Sequence, residues 1–216
     1  MQVNSIIFDF DGTLGDSKKC GVIATKEAFK ELHLTAPSNH LIEYYMGIPI
    51  EESFKKMADR KLTDIEFEEL LSLFRTYYKK YEDQYLKVFP GVKEILEELR
   101  LRGLSLFVLS SKKTIVLHRN LVLLEIDSYF KEIIGSDKLS NYKPHPEGIT
   151  YLLKKYHLDS DRTLMVGDAI FDIQMGKSGK VQTCAVTWGS HDQEKLKKEL
   201  PDILIDTPQS IMSFIC

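Results

Sequence analysis

The stretch Ser5-Ile6-Ile7-Phe8-Asp9-Phe10-Asp11-Gly12-Thr13-Leu14 constrains this chain more than any other. Its apolar, partly β-branched start reads as a fully buried strand. The strand runs into two carboxylates two positions apart, then a glycine. Burying bare acids is costly unless something pairs them. A hard divalent cation is the simplest partner, with an anionic substrate beside it.

The rest of the chain sets where that strand sits. Helical spacing dominates from about Asp16 to Tyr85. Val22, Thr25, Phe29 and Leu32 recur on one face, and breaks fall at Ala36-Pro37-Ser38-Asn39 and Met46-Gly47-Ile48-Pro49. Ser38 is placed to cap a short helix. Glu51 to Arg60 reads as a third helix. Asp64 to Tyr85 reads as the longest, with Phe67, Leu70, Leu71, Phe74, Tyr78 and Tyr81 as its apolar stripe. No strand signal interrupts this four-helix insert.

From Phe89 onward, helices and strands alternate. Strands are expected at 104–109, 132–135, 163–166, 182–186 and 203–205. Helices are expected from Pro90-Gly91 to Gly103, with the proline at an early helical position, and at 113–124, 146–157, 170–177, 192–200 and 209–214. This order implies an α/β fold, a doubly wound (Rossmann-like) parallel sheet covered on both faces. The first strand joins that sheet, so residues 1–15 and 87–216 form the core and 16–86 an inserted α-helical domain.

A chain of 216 residues, 43% hydrophobic, is large enough for such a core and one insert. The net charge of −3 offers no electrostatic footprint for nucleic acid. No apolar run is long enough to span a membrane. The chain enters its first strand by Val3 without a charged leader, so a cytoplasmic location is expected. Cys20, Cys184 and Cys216 are odd in number and far apart, which fits reduced thiols rather than a disulfide framework.

Ligands of open parallel sheets bind at the carboxyl ends of strands. The strand ends here carry Asp9 and Asp11, then Ser110-Ser111-Lys112, then Tyr142-Lys143-Pro144-His145-Pro146 beyond the short third strand. Gly167-Asp168 follows, with Asp172 one helical turn on. These parts suit phosphoryl transfer. Mg2+ takes oxygen ligands, usually one or two carboxylates plus substrate phosphate, and Asp9 and Asp168 can supply them. Asp11 can offer its backbone carbonyl, which leaves its side chain free as acid or base. A carboxylate nucleophile beside a second acid makes an aspartyl-phosphate route possible. Gly12 lets backbone approach a phosphate. Ser110 can donate its hydroxyl, Ser111 its backbone N–H, and Lys143 offsets the negative charge. Pro144 and Pro146 stiffen the loop that carries it.

At these residues the sequence resembles the haloacid dehalogenase-like (HAD) hydrolase superfamily, in the branch with a helical cap after the first strand, as in phosphoglycolate phosphatase. The matching pieces are Asp9-Phe10-Asp11-Gly12-Thr13-Leu14, the strand ending at Ser110, Lys143-Pro144-His145-Pro146 and Gly167-Asp168-Ala169-Ile170-Phe171-Asp172. Their order and spacing match over nearly the whole chain. The resemblance implies that Asp9 is nucleophile and metal ligand, and that Asp11 is acid–base and gives its carbonyl to the metal. Ser110 would bind the phosphoryl group and Lys143 would hold nucleophile and phosphate together. Asp168 would be the second metal carboxylate, and Asp172 would orient metal-bound water or Lys143. True dehalogenases of the superfamily lack the second Asp of the first motif, so Asp11 points to phosphoryl chemistry. Ser111 stands where the branch often has Asn. Met175-Gly176-Lys177-Ser178-Gly179 stands where it usually has alanines.

The expected activity is Mg2+-dependent hydrolysis of a small phosphorylated metabolite: phosphoglycolate-like, nucleotide, pyrophosphate or sugar phosphate. Two alternatives stay open, a β-phosphoglucomutase-like phosphomutase and a non-enzymatic binding protein on the same fold. Gly47, in the break between insert helices, is the candidate turn over the site. His145 reads as a surface residue, and Trp188 and the tyrosines 77, 78, 81 and 85 read as packing. Both monomer and homodimer fit the sequence.

Overall fold

The structure is a computed structural model and describes residues 2–215. In chain order it contains β1 (Ser5–Phe8), β2 (Gly15–Asp16), α1 (Lys18–Glu31), α2 (Asn39–Tyr44), α3 (Ile50–Met57), α4 (Asp64–Tyr85), β3 (Lys87–Val88), α5 (Val92–Leu101) and β4 (Ser105–Leu109). These are followed by α6 (Thr114–Leu123), β5 (Glu132–Ile134), α7 (Glu147–Tyr156), β6 (Thr163–Gly167), α8 (Ile170–Ser178), β7 (Gln182–Val186), α9 (Gln193–Lys198) and β8 (Ile203–Ile205). Six strands form one sheet in the order β5-β4-β1-β6-β7-β8, and every pairing in it is parallel. The connections reverse direction at β1, so its carboxyl end opens the crevice where such sheets bind ligands.

Alternation of side chains builds a core on each face. Ile6, Phe8, Leu106, Val108, Leu164 and Val166 meet α5 and α6 on one side. Ile7, Phe107, Leu109 and Met165 meet α7 and α8 on the other. This is the doubly wound α/β fold that the strand order implies.

Helices α1–α4 pack around a separate apolar cluster that includes Phe29, Ile42, Phe54, Leu70 and Leu71. Phe54 meets Phe29 and Phe74 edge-on, with ring centroids 5.4 and 5.1 Å apart. Start signals are local. The Ser38 hydroxyl accepts from Leu41 N–H at 3.3 Å. Thr63 and Glu66 cap each other, with Thr63 N–H donating to Glu66 at 2.8 Å and Glu66 N–H to Thr63 at 3.3 Å.

The structure departs from the sequence reading in several places. The two-residue strands β2 and β3 pair antiparallel, Gly15 opposite Val88 and Asp16 opposite Lys87, where no strand is expected. Helix α3 stops at Met57, because Ala58 turns extended (ψ 136°). Pro90 is not helical. Gly91 precedes α5 with φ +86°, a left-handed conformation that a helix interior excludes. The final helical segment is a 3₁₀ turn over Pro208–Ser213 with proline at its start. Helix α8 runs one residue past the expected end, to Ser178, with Gly179 as its C-cap. Cys20 and Cys184 are buried free thiols, while Cys216 lies outside the described residues.

Gly176, within α8, is set by packing against the sheet. A Cβ there would stand 2.5 Å from Thr183 Cγ2 and 3.2 Å from Met165 Cβ. Alanine improves helix propensity by about 1 kcal/mol, but overpacking a core costs about 1–3 kcal/mol. The clash is with the sheet itself, so it outweighs propensity. Gly176→Ala is expected to lower Tm by a few degrees in thermal unfolding; a rise in Tm would refute this packing account.

The helical block is also tied to the sheet by a histidine. His191 is 3% exposed and follows β7. Its Nδ1 accepts from Ile170 N–H at 3.1 Å, so Nε2 carries the proton and donates to the Tyr44 carbonyl at 3.0 Å. The ring stacks on Tyr44 at 5.3 Å. Burial lowers the His191 pKa; the Tyr44 carbonyl, Asp172 and Asp192 pull it up, Lys195 pushes it down, and the net is a value below the ordinary one. The unfolded chain therefore takes the proton first. The neutral ring's contribution is complete above about pH 6.5 and is lost as pH falls through the folded value. His191→Gln should flatten part of the fall in Tm as pH drops below about 6.5. An unchanged Tm-versus-pH slope would dismiss the link.

Candidate active site

Strand ends bring the predicted residues together. Asp9 follows β1 directly and its N–H donates to the Val166 carbonyl at 2.9 Å, which fixes it beside β6. Asp168 follows β6, and Asp172 lies in the first turn of α8. Carboxylate oxygens of Asp9, Asp168 and Asp172 all lie within 4.8 Å of one another, and all three residues are buried. Lys143 is buried among them. Its ammonium donates to Asp9 Oδ1 at 2.5 Å and to Asp172 Oδ1 at 2.7 Å.

Asp168 and the second oxygen of Asp172 are held from outside the cluster. Asp172 Oδ2 accepts from Ala169 N–H at 3.0 Å. Asp168 accepts from the Thr13 hydroxyl at 3.2 Å and from Ser190 N–H at 2.6 Å. Gly12, at φ +82°, brings its loop so close that a Cβ would stand 2.2 Å from Asp168 Oδ2. A side chain at position 12 would fill the space around that carboxylate.

The electrostatics are those of a site short of positive charge. Burial raises the Asp9 pKa well above the usual carboxylate range, Lys143 opposes this, and Asp172, Asp168 and Asp11 add to the rise. Burial, then Asp172, lifts Asp168 to about 7 against the pull of Ser190 and Thr13. Burial works against the Lys143 charge, yet Asp172 and Asp9 hold its pKa above the ordinary lysine value. Three carboxylates facing one ammonium, all donors hard oxygens, is a set that fits a divalent metal such as Mg2+.

Asp11 stands apart from this cluster, and its carboxylate is not free as the sequence reading has it. Lys112 Nζ donates to Oδ1 at 2.5 Å, and the Ser17 hydroxyl donates to the same oxygen. Oδ2 receives no side-chain donor among the described residues. The Lys112 ammonium also sits over the Tyr78 ring, 4.5 Å from its centroid. Burial works against this charge, but Asp11 and Tyr78 keep its pKa above the ordinary lysine value. No role for Lys112, Ser17, Thr13 or Ser190 is read from the sequence. Lys112 directly follows the strand-end serines, which is the one signal that pointed to it.

Ser110 is buried at the end of β4, and its hydroxyl oxygen accepts from Lys112 N–H at 3.2 Å, so its proton remains available. The Ser111 side chain has a use the sequence reading did not give it: its hydroxyl donates to the Gly47 carbonyl at 3.1 Å. Gly47 backs onto the start of α8, where a Cβ would stand 2.9 Å from both Ala169 Cβ and Phe171. The turn thus reaches the sheet beside the cluster. His145 is exposed, and Trp188 packs on Phe89 and donates to the Thr13 carbonyl at 3.1 Å.

A carboxylate cluster at the switch point of a doubly wound sheet, beneath an inserted helical block, defines a hydrolase class, and the comparisons name it. The sequence model of the haloacid dehalogenase-like hydrolase family matches residues 6–186, and the chain belongs to that family, in its phosphoglycolate phosphatase-like branch. Among curated relatives, the pyrophosphatase PpaX of Oceanobacillus iheyensis is 34% identical over 215 residues, covering 100% of this chain and 98% of the relative. The phosphoglycolate phosphatase of Aquifex aeolicus is 30% identical, covering 97% and 95%. A crystal structure described as a predicted phosphoglycolate phosphatase of Haemophilus somnus superposes with a TM-score of 0.92 at 28% identity, covering 99% of this chain and 98% of that one. Among the described residues no helix is long and apolar enough to cross a membrane.

Proposed function

We propose that this chain is a Mg2+-dependent phosphatase of small phosphorylated metabolites that works through a phosphoryl group carried on Asp9. The observation that carries the reading is the buried set Asp9, Asp168 and Asp172 around Lys143, with Asp11 close by. The names of its relatives support the same class of chemistry. Residues 1–15 and 87–216 would form the catalytic core, and 16–86 the cap that closes over it.

Asp9, Asp168, Asp172 and the Asp11 carbonyl would hold the metal, which when bound supplies positive charge to the phosphoryl oxygens. A carboxylate oxygen of Asp9 attacks phosphorus as the bond to the leaving oxygen breaks. Asp11, in its acid form, gives the leaving oxygen its proton; Lys112 and Ser17 hold it in place through Oδ1. Asp11 then takes a proton from water, the water oxygen attacks phosphorus, and the Asp9 carboxylate departs with inorganic phosphate released. The Ser110 hydroxyl and Ser111 N–H steady the phosphoryl oxygens, and Lys143 balances the charge that Asp9 regains.

The test is phosphate release from a panel holding phosphoglycolate, pyrophosphate, nucleotides and sugar phosphates. Release is expected with Mg2+, lost on chelation and restored by excess Mg2+. A folded protein that releases phosphate from none of them, or releases it equally with chelator present, would overturn the reading.

A further inference from the structure

A cavity of about 400 Å³ lies between the helical block and the strand ends of the sheet. Of the site carboxylates only Asp11 lines it; Asp9, Asp168 and Asp172 do not. That division has a chemical meaning under the phosphatase reading. Phosphorus must sit at Asp9, while the leaving oxygen must touch Asp11 to take its proton. The space beyond Asp11 is therefore where the body of the leaving group goes.

The walls of that space are mostly apolar. Ile42, Tyr45, Met46 and Ile48 come from α2 and the turn after it, and Phe54 and Met57 from α3. Cations do reach the cavity, but nearly all are occupied. Lys112 is bound to Asp11 at 2.5 Å. Arg75 and Lys113 both pair with Glu51, at 2.9 and 3.3 Å. Arg119 grips Glu82 at 2.6 Å. Among the described residues only Lys79, exposed on α4, lines the cavity without a carboxylate partner. A second phosphate or a glycolate fills on the order of 100 Å³, a few waters' worth. It would leave most of the cavity empty, and the least exposed cation there, Lys112, is already held by Asp11. Cavities of this size and lining take organic groups with an apolar body.

We propose that this site selects phosphate monoesters whose leaving group is an uncharged alcohol with a sizeable apolar body, over substrates whose leaving group is itself an anion. The inference rests on the phosphatase reading and adds the substrate class. The ester's P–O bond breaks, the alcohol oxygen takes its proton from Asp11, and water completes the release of phosphate.

The test is kcat/KM with Mg2+ for ethyl, butyl and hexyl phosphate, whose leaving oxygens are chemically alike, beside inorganic pyrophosphate and phosphoglycolate. Each added methylene is expected to raise kcat/KM about three- to fourfold, with hexyl phosphate about tenfold or more above both anionic-leaving-group substrates. Gly21 also lines the cavity, and a Cβ there would stand in ordinary contact with the flexible end of Met46, 3.5 Å away, so a larger side chain takes up cavity space. Gly21→Leu is expected to cut the hexyl-to-ethyl ratio by about tenfold. A flat chain-length series, a higher kcat/KM on pyrophosphate or phosphoglycolate, or an unchanged ratio in the variant would overturn the substrate class while leaving a working phosphatase. Release of phosphate from no substrate at all would overturn the phosphatase reading and this inference with it.

Discussion

Asp9→Asn is expected to abolish phosphate release, with kcat reduced by about 10⁴-fold or more, the order lost when a covalent nucleophile is removed. The substitution is nearly isosteric, so shape is not the cause. Asparagine keeps an acceptor for the Lys143 ammonium, which still has Asp172 at 2.7 Å. Its backbone N–H still donates to Val166. What disappears is the carboxylate that can bond to phosphorus. The wild-type Asp9 also sits among like charges that raise its pKa after burial has done so. Removing its charge relieves that repulsion, so the variant should unfold at no lower temperature than the wild type. Single-turnover assays and thermal unfolding check both halves. A variant that keeps a tenth or more of the wild-type rate would rule out the phosphoryl-aspartate route.

Lys143→Met is expected to be the most destabilising single change in the site. The ammonium is 5% exposed and bridges Asp9 and Asp172, which are 8% and 2% exposed. Methionine matches the stem in length, so little packing is lost. The charge is another matter. Removing one partner of a buried ion pair costs about 3–5 kcal/mol, because the other is left uncompensated. For a chain of this size that is a fall in Tm on the order of 10 °C. The same logic gives a second readout. Mg2+ should raise the Tm of Lys143→Met by more than it raises that of the wild type, since the ion supplies the charge the variant lacks. Equal Mg2+ shifts in the two proteins, or a variant as stable as the wild type, would show that Lys143 does not balance the cluster.

The features legible in the sequence were those written in consecutive residues. The long helix α4 announces itself by its apolar stripe from Phe67 to Tyr81, and its bounds fall where the pattern places them. Asp172 stands one turn beyond Asp168, so a strand followed by a helix suffices to bring both to one point. What escaped depends on partners far along the chain. Lys112 looks like a surface lysine after a strand, until folding sets it against an acid 101 positions away. Ser111 looked like a backbone donor because nothing local says that its hydroxyl meets Gly47. His191 gains its place from Ile170 on one side and Tyr44 on the other. The strands β2 and β3 are too short to leave a periodic signal, and each exists only because the other is present.

That small antiparallel pair has a consequence for how such a chain can change. The strand ends of the sheet carry the acids, while the helices between β2 and β3 wall the space beyond them. The chain leaves the sheet at Gly15 and returns opposite it at Val88, and paired strands stand about 5 Å apart. Seen from the sheet, everything between is one closed loop, and doubling the length of a closed loop costs only about 0.6 kcal/mol. The residues that pair β1 with β4 and β6 all lie outside that loop. The helices are in effect a cartridge, seated on the sheet through the Tyr44–His191 and Gly47–Ser111 contacts, and one with a differently shaped interior that keeps those contacts would leave the strands as they are. Under the phosphatase reading, the chemistry goes with the sheet and the choice of leaving group with the insert.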